Sequence, residues 1–347
     1  MHRISEIEEI VNSESEEFRR IFYRIFSIRT CDGELSLPRE IREWAKSRFG
    51  ECERQRIVRI TNKLSHESTL FNELRAKRPL DAKSEVNLEV KDCAFCDAIK
   101  RTPADVFGRV VGRHCLTASN IAKYDCMHAV VIFKEHNPLV SDVDVIDDIF
   151  NVVETWFEKA NVHNPKAVYP FFMWNCLWRA GASIIHGHAQ ALIAEEPYPK
   201  PLQLKKIRNR YFENYGSEYL EDLFYIHNKL RLGFKFEDTS VFVYLTPVKE
   251  KEVLMVSKKL KSFAKPLSLA LKCYYSLGVM SFNVAAYLPP LGEEDLILLR
   301  LVDRGNIETK TADIGGMELY AGASVVSSDP FVLAEKLRNQ QLNLPSC

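Results

Sequence analysis

The chain reads twice through one plan: strand, polar exit, amphipathic helix, return strand. In the first pass a strand at 128–134 (His-Ala-Val-Val-Ile-Phe-Lys) leads to a helix over 142–160, with Ser141 placed to cap it. Strands follow at 167–175 and 184–194. In the second pass, strands at 239–246 and 252–257 precede a helix around 266–285 and a strand at 295–303. A helix over 330–341 closes the chain. A plan that recurs with little shared sequence points to internal duplication, with two halves folded alike. Helices over 4–27 and 38–50 come first, a strand begins near Val58, and Asp81–Asn87 is polar loop.

Charge and composition exclude several classes. Lys+Arg and Asp+Glu both total 47, so no net field draws the molecule to nucleic acid or to a membrane. No apolar run approaches the ~20 residues that span a bilayer. The start, Met1-His2-Arg3-Ile4-Ser5-Glu6, is polar and is not expected to be a signal peptide. Nine scattered cysteines then read as reduced thiols in a cytoplasmic enzyme, with metal binding as the exception to look for.

The segment His186-Gly187-His188-Ala189-Gln190 carries the chemistry. In an extended chain alternate side chains share a face, so two imidazoles and a carboxamide stand in a row about 6–7 Å per step. The Gly and Ala spacers let a ligand or a neighbouring backbone come close. Cys93-x-x-Cys96 is a two-thiolate bite suited to zinc. His136, just past the 128–134 strand, and His186 would complete a closed, structural site; His114, His128, Cys115 and Cys126 compete for the same part. With His186 on metal, His188 is free as a nucleophile toward phosphorus. Gln190 can grip a phosphoryl oxygen as a neutral donor. Arg75-Ala76-Lys77-Arg78-Pro79 is either a solvated face or a phosphate-binding loop, since guanidinium groups suit bidentate contacts to phosphate.

These residues resemble the galactose-1-phosphate uridylyltransferase family, a branch of the histidine-triad superfamily. His186-Gly-His188-Ala-Gln190 is similar to its His-x-His-x-Gln motif, and Arg75-Ala-Lys-Arg-Pro79 to its early Arg-Ala-Lys-Arg-Pro segment. Cys93, Cys96, His136 and His186 match its zinc ligands in order. Asn175 and Gly181-Ala182-Ser183 match its Asn and Gly-x-Ser positions, and Gly315-Gly316-Met317-Glu318 a late sugar-contacting segment. The match covers roughly residues 60–195. Leu177 and Arg179 depart from it, standing where the family usually has Gly and a small residue. The strand ending Leu296-Ile-Leu-Leu-Arg300-Leu-Val-Asp303 lacks the His-x-His pair of a second metal site found in some members.

The resemblance implies an α+β fold: duplicated histidine-triad-like halves, each an antiparallel sheet with packed helices. The division expected is a helical extension over 1–58, a half with zinc and the catalytic motif over 59–235, and a second half over 236–347. It implies His188 as nucleophile, with Ser183 and Gln190 on the phosphates. Phe95, Asn120 and Asn175 would line the nucleotide end, and Glu318 would contact sugar. Arg75 and Arg78 would reach substrate phosphate across a homodimer interface. The activity implied moves a nucleoside monophosphate between a nucleotide sugar, UDP-hexose first, and a hexose 1-phosphate. A phosphorylase using inorganic phosphate and a histidine-triad nucleotide hydrolase are the alternatives. A carboxamide at 190 cannot shuttle protons as a third histidine would, which favours transfer over hydrolysis.

Overall fold

A computed structural model describes residues 2–77, 88, 90, 92–309 and 314–342. The strands, in chain order, are β1 (Phe26–Glu34), β2 (Arg54–Asn62), β3 (Ser68–Phe71), β4 (Cys115–Ser119), β5 (Met127–Phe133), β6 (Tyr169–Cys176) and β7 (His188–Ala194). They continue as β8 (Gly233–Phe236), β9 (Thr239–Val243), β10 (Val253–Ser257), β11 (Phe282–Tyr287), β12 (Ile297–Asp303) and β13 (Ala323–Val326). Nine of them form one antiparallel sheet in the order β4-β5-β7-β6-β11-β12-β10-β9-β8. The order makes the duplication visible. The run β4-β5-β7-β6 from the first half is mirrored by β9-β10-β12-β11 from the second, and β6 and β11 join at the centre. A smaller sheet, β1-β2-β3-β13, ties the beginning of the chain to its end.

Directly paired residues share a face, so register sorts the side chains. One face carries Ala129, Val131, Phe133, Phe172, Trp174, Ala189, Ala191, Val284 and Leu301, nearly all without solvent exposure. The helix Val143–His163 covers it with Ile149, Phe150, Val153 and Trp156, and the helix Ala264–Ser276 packs beside it. The other face carries His188 and Gln190, opposite Ile132 and Val130 on β5. The first face is apolar over its centre, where two helices bury it. The second combines the polar groups with a smaller apolar patch of Leu116, Ala118, Val130 and Ile132.

Four expectations change. Asp142, not Ser141, caps the helix Val143–His163, its side chain accepting from Asp144 N at 2.8 Å. The helix over 4–27 is two, Ile7–Ser13 and Glu16–Ile25, separated where the Ser15 side chain accepts a hydrogen bond from Phe18 N. The helix over 266–285 stops at Ser276, and Gly278 takes a left-handed turn (φ 76°). Phe282, Val284 and Ala286 then alternate inward as β11. Helices Pro199–Tyr215 and Tyr219–Lys229 have no counterpart in the sequence reading; the first buries only Tyr211, so its apolar stripe is faint. Among the described residues no helix is long and apolar enough to cross a membrane.

Candidate active site and metal centre

Cys93, Cys96, His136 and His186 converge. One ligand atom from each lies within 4.8 Å of the others. His186 Nδ1 is 3.4 Å from Cys93 Sγ, 3.6 Å from Cys96 Sγ and 3.2 Å from His136 Nδ1, and His136 Nδ1 is 3.2 Å from Cys96 Sγ. A tetrahedral zinc with bonds of ~2.0–2.3 Å sets its ligand atoms ~3.3–3.8 Å apart. Two sulfurs and two nitrogens at these spacings fit such an ion. His186 Nε2 donates to the Phe133 carbonyl at 2.7 Å, which turns the Nδ1 lone pair toward the thiols. Gly187 is required by crowding: a Cβ there would lie 2.5 Å from the Phe133 ring and 3.0 Å from the Asn137 carbonyl.

His188 opens β7 and is buried. Its Nδ1 donates to the His186 carbonyl at 2.8 Å, so the lone pair sits on Nε2. Among the described residues nothing bonds that nitrogen. Burial lowers the His188 pKa, with the charge of nearby His186 adding to the effect against the His186 carbonyl bond, and keeps the ring neutral. The Phe95 ring stands edge-on to both histidines, at 5.7 Å from His186 and 5.5 Å from His188. Phe95 also borders an apolar patch of Ala98, Leu116, Ala118, Val130 and Ile132 on the same sheet face. Gln190, two residues along, takes a 2.8 Å hydrogen bond from His128. A neutral nucleophile, an amide donor and an apolar wall for a planar group thus share one face.

The sequence matches no family model and no curated protein. Solved structures do match. An ADP-glucose phosphorylase from Arabidopsis thaliana, with bound ADP-glucose, is similar at a TM-score of 0.63 and 18% identity, over 80% of this chain and 97% of that one. A galt-like protein from Arabidopsis thaliana reaches 0.61 at 17% identity, with coverage of 80% and 97%. A uridylyltransferase reaches 0.58 at 16%, with 83% and 99%. The chain has the uridylyltransferase fold.

Within that fold the expected site residues divide. His188, Gln190, Phe95 and the four metal-site residues are gathered on or beside one sheet face. Asn120 joins them, 3.3 Å from His128 Nε2. Asn175 lies on β6 opposite Asn283 of β11, whose amide donates to the Asn175 oxygen at 2.6 Å. Arg304 donates in turn to Asn283. Ser183 is exposed in the loop between Gly181 and β7. Arg75 is exposed in the turn Glu73–Lys77, and no described contact joins it to His188. Arg78 lies outside the described residues. Glu318 is held by Lys249 at 3.2 Å and by Gly315 N at 2.9 Å. It faces a cavity of about 610 Å³ that Arg300, Glu252 and Asn283 also line.

The two departures at 177 and 179 have structural roles. Leu177 holds φ 63°, ψ 174°, a region that strains any residue but glycine. Its side chain is buried in the main core, and that burial offsets the strain. Arg179 reaches the carbonyls of Arg304 and Thr309, tying this loop to the second half.

The second half shows what became of the duplicate site. Gln190 pairs with Val130, two residues after His128; Arg300 pairs with Leu254, two residues after Glu252. The His128–Gln190 bond is thereby matched by the Glu252–Arg300 ion pair at 2.6 Å. Leu298 occupies the place of His188, so this half has no nucleophile there.

Proposed function

We propose that the chain is a nucleotidyltransferase that moves a nucleoside monophosphate from a nucleotide sugar to a phosphate acceptor through His188. The observation that carries the reading is the His188 tautomer. Its Nδ1 proton is committed to the His186 carbonyl at 2.8 Å, and its Nε2 lone pair is free. Nε2 attacks the α-phosphorus, a P–N bond forms, and the P–O bond to the sugar phosphate breaks with its electron pair on the leaving oxygen. A second phosphate oxygen then attacks, breaks the P–N bond and carries the nucleotide away. The leaving sugar 1-phosphate is already anionic near neutral pH and needs no strong acid. Gln190 donates to the phosphoryl oxygens as charge builds. Zinc in the Cys93, Cys96, His136 and His186 site holds the motif loop, and no reaction step passes through it.

Ser183 would bind phosphate, Asn175, Asn120 and Phe95 the nucleotide end and Glu318 the sugar, while Arg75 and Arg78 would reach substrate phosphate across a homodimer interface. UDP-hexose with hexose 1-phosphate is the first pairing to test. Inorganic phosphate is the second, because one similar fold belongs to an ADP-glucose phosphorylase. The test is exchange of labelled sugar 1-phosphate into UDP- and ADP-sugars with no second substrate, with acid-labile nucleotide trapped on the protein. His188→Asn should lose exchange by at least about a thousandfold while keeping its metal. Full exchange by that variant overturns the reading, and hydrolysis without exchange assigns the fold to the hydrolase alternative.

A further inference from the structure

We propose that His128 is a positioning residue that fixes which end of the Gln190 carboxamide faces the reacting phosphoryl group. The proposal rests on the nucleotidyl-transfer reading above and adds a residue outside its motifs.

A carboxamide has a donor end and an acceptor end of nearly the same shape. Only the NH₂ end stabilises an anionic phosphoryl oxygen; the carbonyl end repels it. Something must choose between them. The backbone N–H of Tyr124 donates to His128 Nδ1 at 3.0 Å. An amide N–H cannot accept, so Nδ1 carries the lone pair and the neutral ring keeps its proton on Nε2. That Nε2–H lies 2.8 Å from Gln190 Oε1. The oxygen is thereby occupied, and both N–H bonds of the amide remain for a ligand. His128 has no solvent exposure, and the Tyr124 ring packs on it at 4.7 Å. Burial lowers its pKa, which keeps the ring in the neutral form that the geometry requires.

The same tautomer frees a second amide. Asn120 Oδ1 accepts from Ala122 N at 3.0 Å, so Asn120 Nδ2 is the atom 3.3 Å from His128 Nε2. Both nitrogens carry protons, and the pair does not bond. The Asn120 amide hydrogens are left for substrate. The Tyr124 N–H thus orients the Gln190 amide through the imidazole, while the Ala122 N–H orients the Asn120 amide beside it. In the second half, Glu252 and Arg300 stand at the matching positions, and a guanidinium has only donors, so no choice arises there.

The experiment has two arms on the full-length, metal-loaded protein. Nitrogen-15 NMR of the histidines reads the tautomer of native His128 directly. The Nε2–H form is expected; the Nδ1–H form overturns the proposal whatever the variants do. The second arm is a double-mutant cycle on sugar 1-phosphate exchange. His128→Leu should lower kcat by about ten- to a hundredfold, with KM changed by less than about threefold. In a Gln190→Ala background, His128→Leu should cost no more than about twofold further. His128→Gln, which can accept from Tyr124 and donate to Gln190, should recover most of kcat. Multiplicative losses in the double variant, or no loss in His128→Leu, overturn the positioning role. If His188→Asn still exchanges, the transfer reading itself has failed; if His188→Asn is dead and the cycle is multiplicative, only the role of His128 has.

Discussion

Each buried histidine takes its role from the backbone group that reaches its ring. A carbonyl at Nε2 turns His186 toward the thiols. A carbonyl at Nδ1 turns the His188 lone pair toward the cleft. An amide at Nδ1 makes His128 a donor. His227 is closed on both sides: Nδ1 donates to the Leu223 carbonyl at 2.7 Å, and Nε2 accepts from Leu245 N at 3.1 Å. With the Phe242 and Tyr244 rings against it, burial brings its pKa down to about 4. The unfolded ring titrates near ~6.5. Between those values the unfolded chain binds a proton that the folded chain does not. The stability from His227 is therefore whole above about pH 6.5 and is lost as pH falls toward 4, roughly 3 kcal/mol in all. His227→Gln keeps both hydrogen bonds and has nothing to titrate. Its denaturation midpoint should change less than that of the native chain between pH 7 and 4.5. Equal slopes would show that His227 is not the group responsible.

At the level of elements, the metal site joins three pieces far apart in sequence: the turn Ala94–Asp97, the exit of β5 and the loop before β7. None of these loops has a core of its own. The Phe133 carbonyl and the Phe133 ring meet His186 and Gly187, so β5 positions the motif from below while the metal would clamp it from the side. Cys93→Ser should drop the bound metal below one equivalent and lower the melting temperature by several degrees, because an ion that binds only the folded state stabilises it. Metal analysis and a melt decide the matter together; an unchanged zinc content would remove Cys93 from the ligand set.

Across the whole molecule the two halves meet at buried charge. Arg300 of β12 lies 2.7 Å from Glu67, in the turn between β2 and β3, and 2.6 Å from Glu252, which precedes β10. Burial works against both carboxylates. Arg300 outweighs it for Glu67, holding that pKa below its usual range, while Glu252 stays raised. Tyr244 donates to Glu67 at 2.9 Å, and Asn62 links Tyr244 to Tyr219. The small sheet, the large sheet and the helix Tyr219–Lys229 are thus held by one polar network. Arg300→Met leaves two buried acids without a counter-charge and should cost about 3–5 kcal/mol. Urea denaturation should show the loss at pH 7 and a smaller one near pH 5, where a carboxylate can take up a proton. A variant as stable as the parent would mean that the network is solvated rather than structural.

Local period along the chain determined a strand within 184–194, of which His188–Ala194 forms, the row of His188 and Gln190 and the repeated plan of the two halves. The Cys93-x-x-Cys96 pair is likewise local, whereas its partners His136 and His186 were singled out from competing histidines and cysteines by the family resemblance. Helix 266–285 was misread from the same local period. Apolar residues continue on both sides of Ser276 and Gly278, from Leu269, Leu271 and Cys273 to Phe282, Val284 and Ala286, and pairing with β6 and β12 makes the latter a strand. Tertiary structure alone decided that the halves share one sheet, that Asn283 supports Asn175, and that Arg300 and Glu252 replace Gln190 and His128 in the second half. It also decided the part played by His128. Sequence offers that residue as the first of the 128–134 strand and as a competing metal ligand; which of its nitrogens carries the proton depends on the turn at 120–124 folding back to place Tyr124 N–H against the ring. Hydrogen-bond direction is a property of neighbours in space, and no pattern along the chain records it.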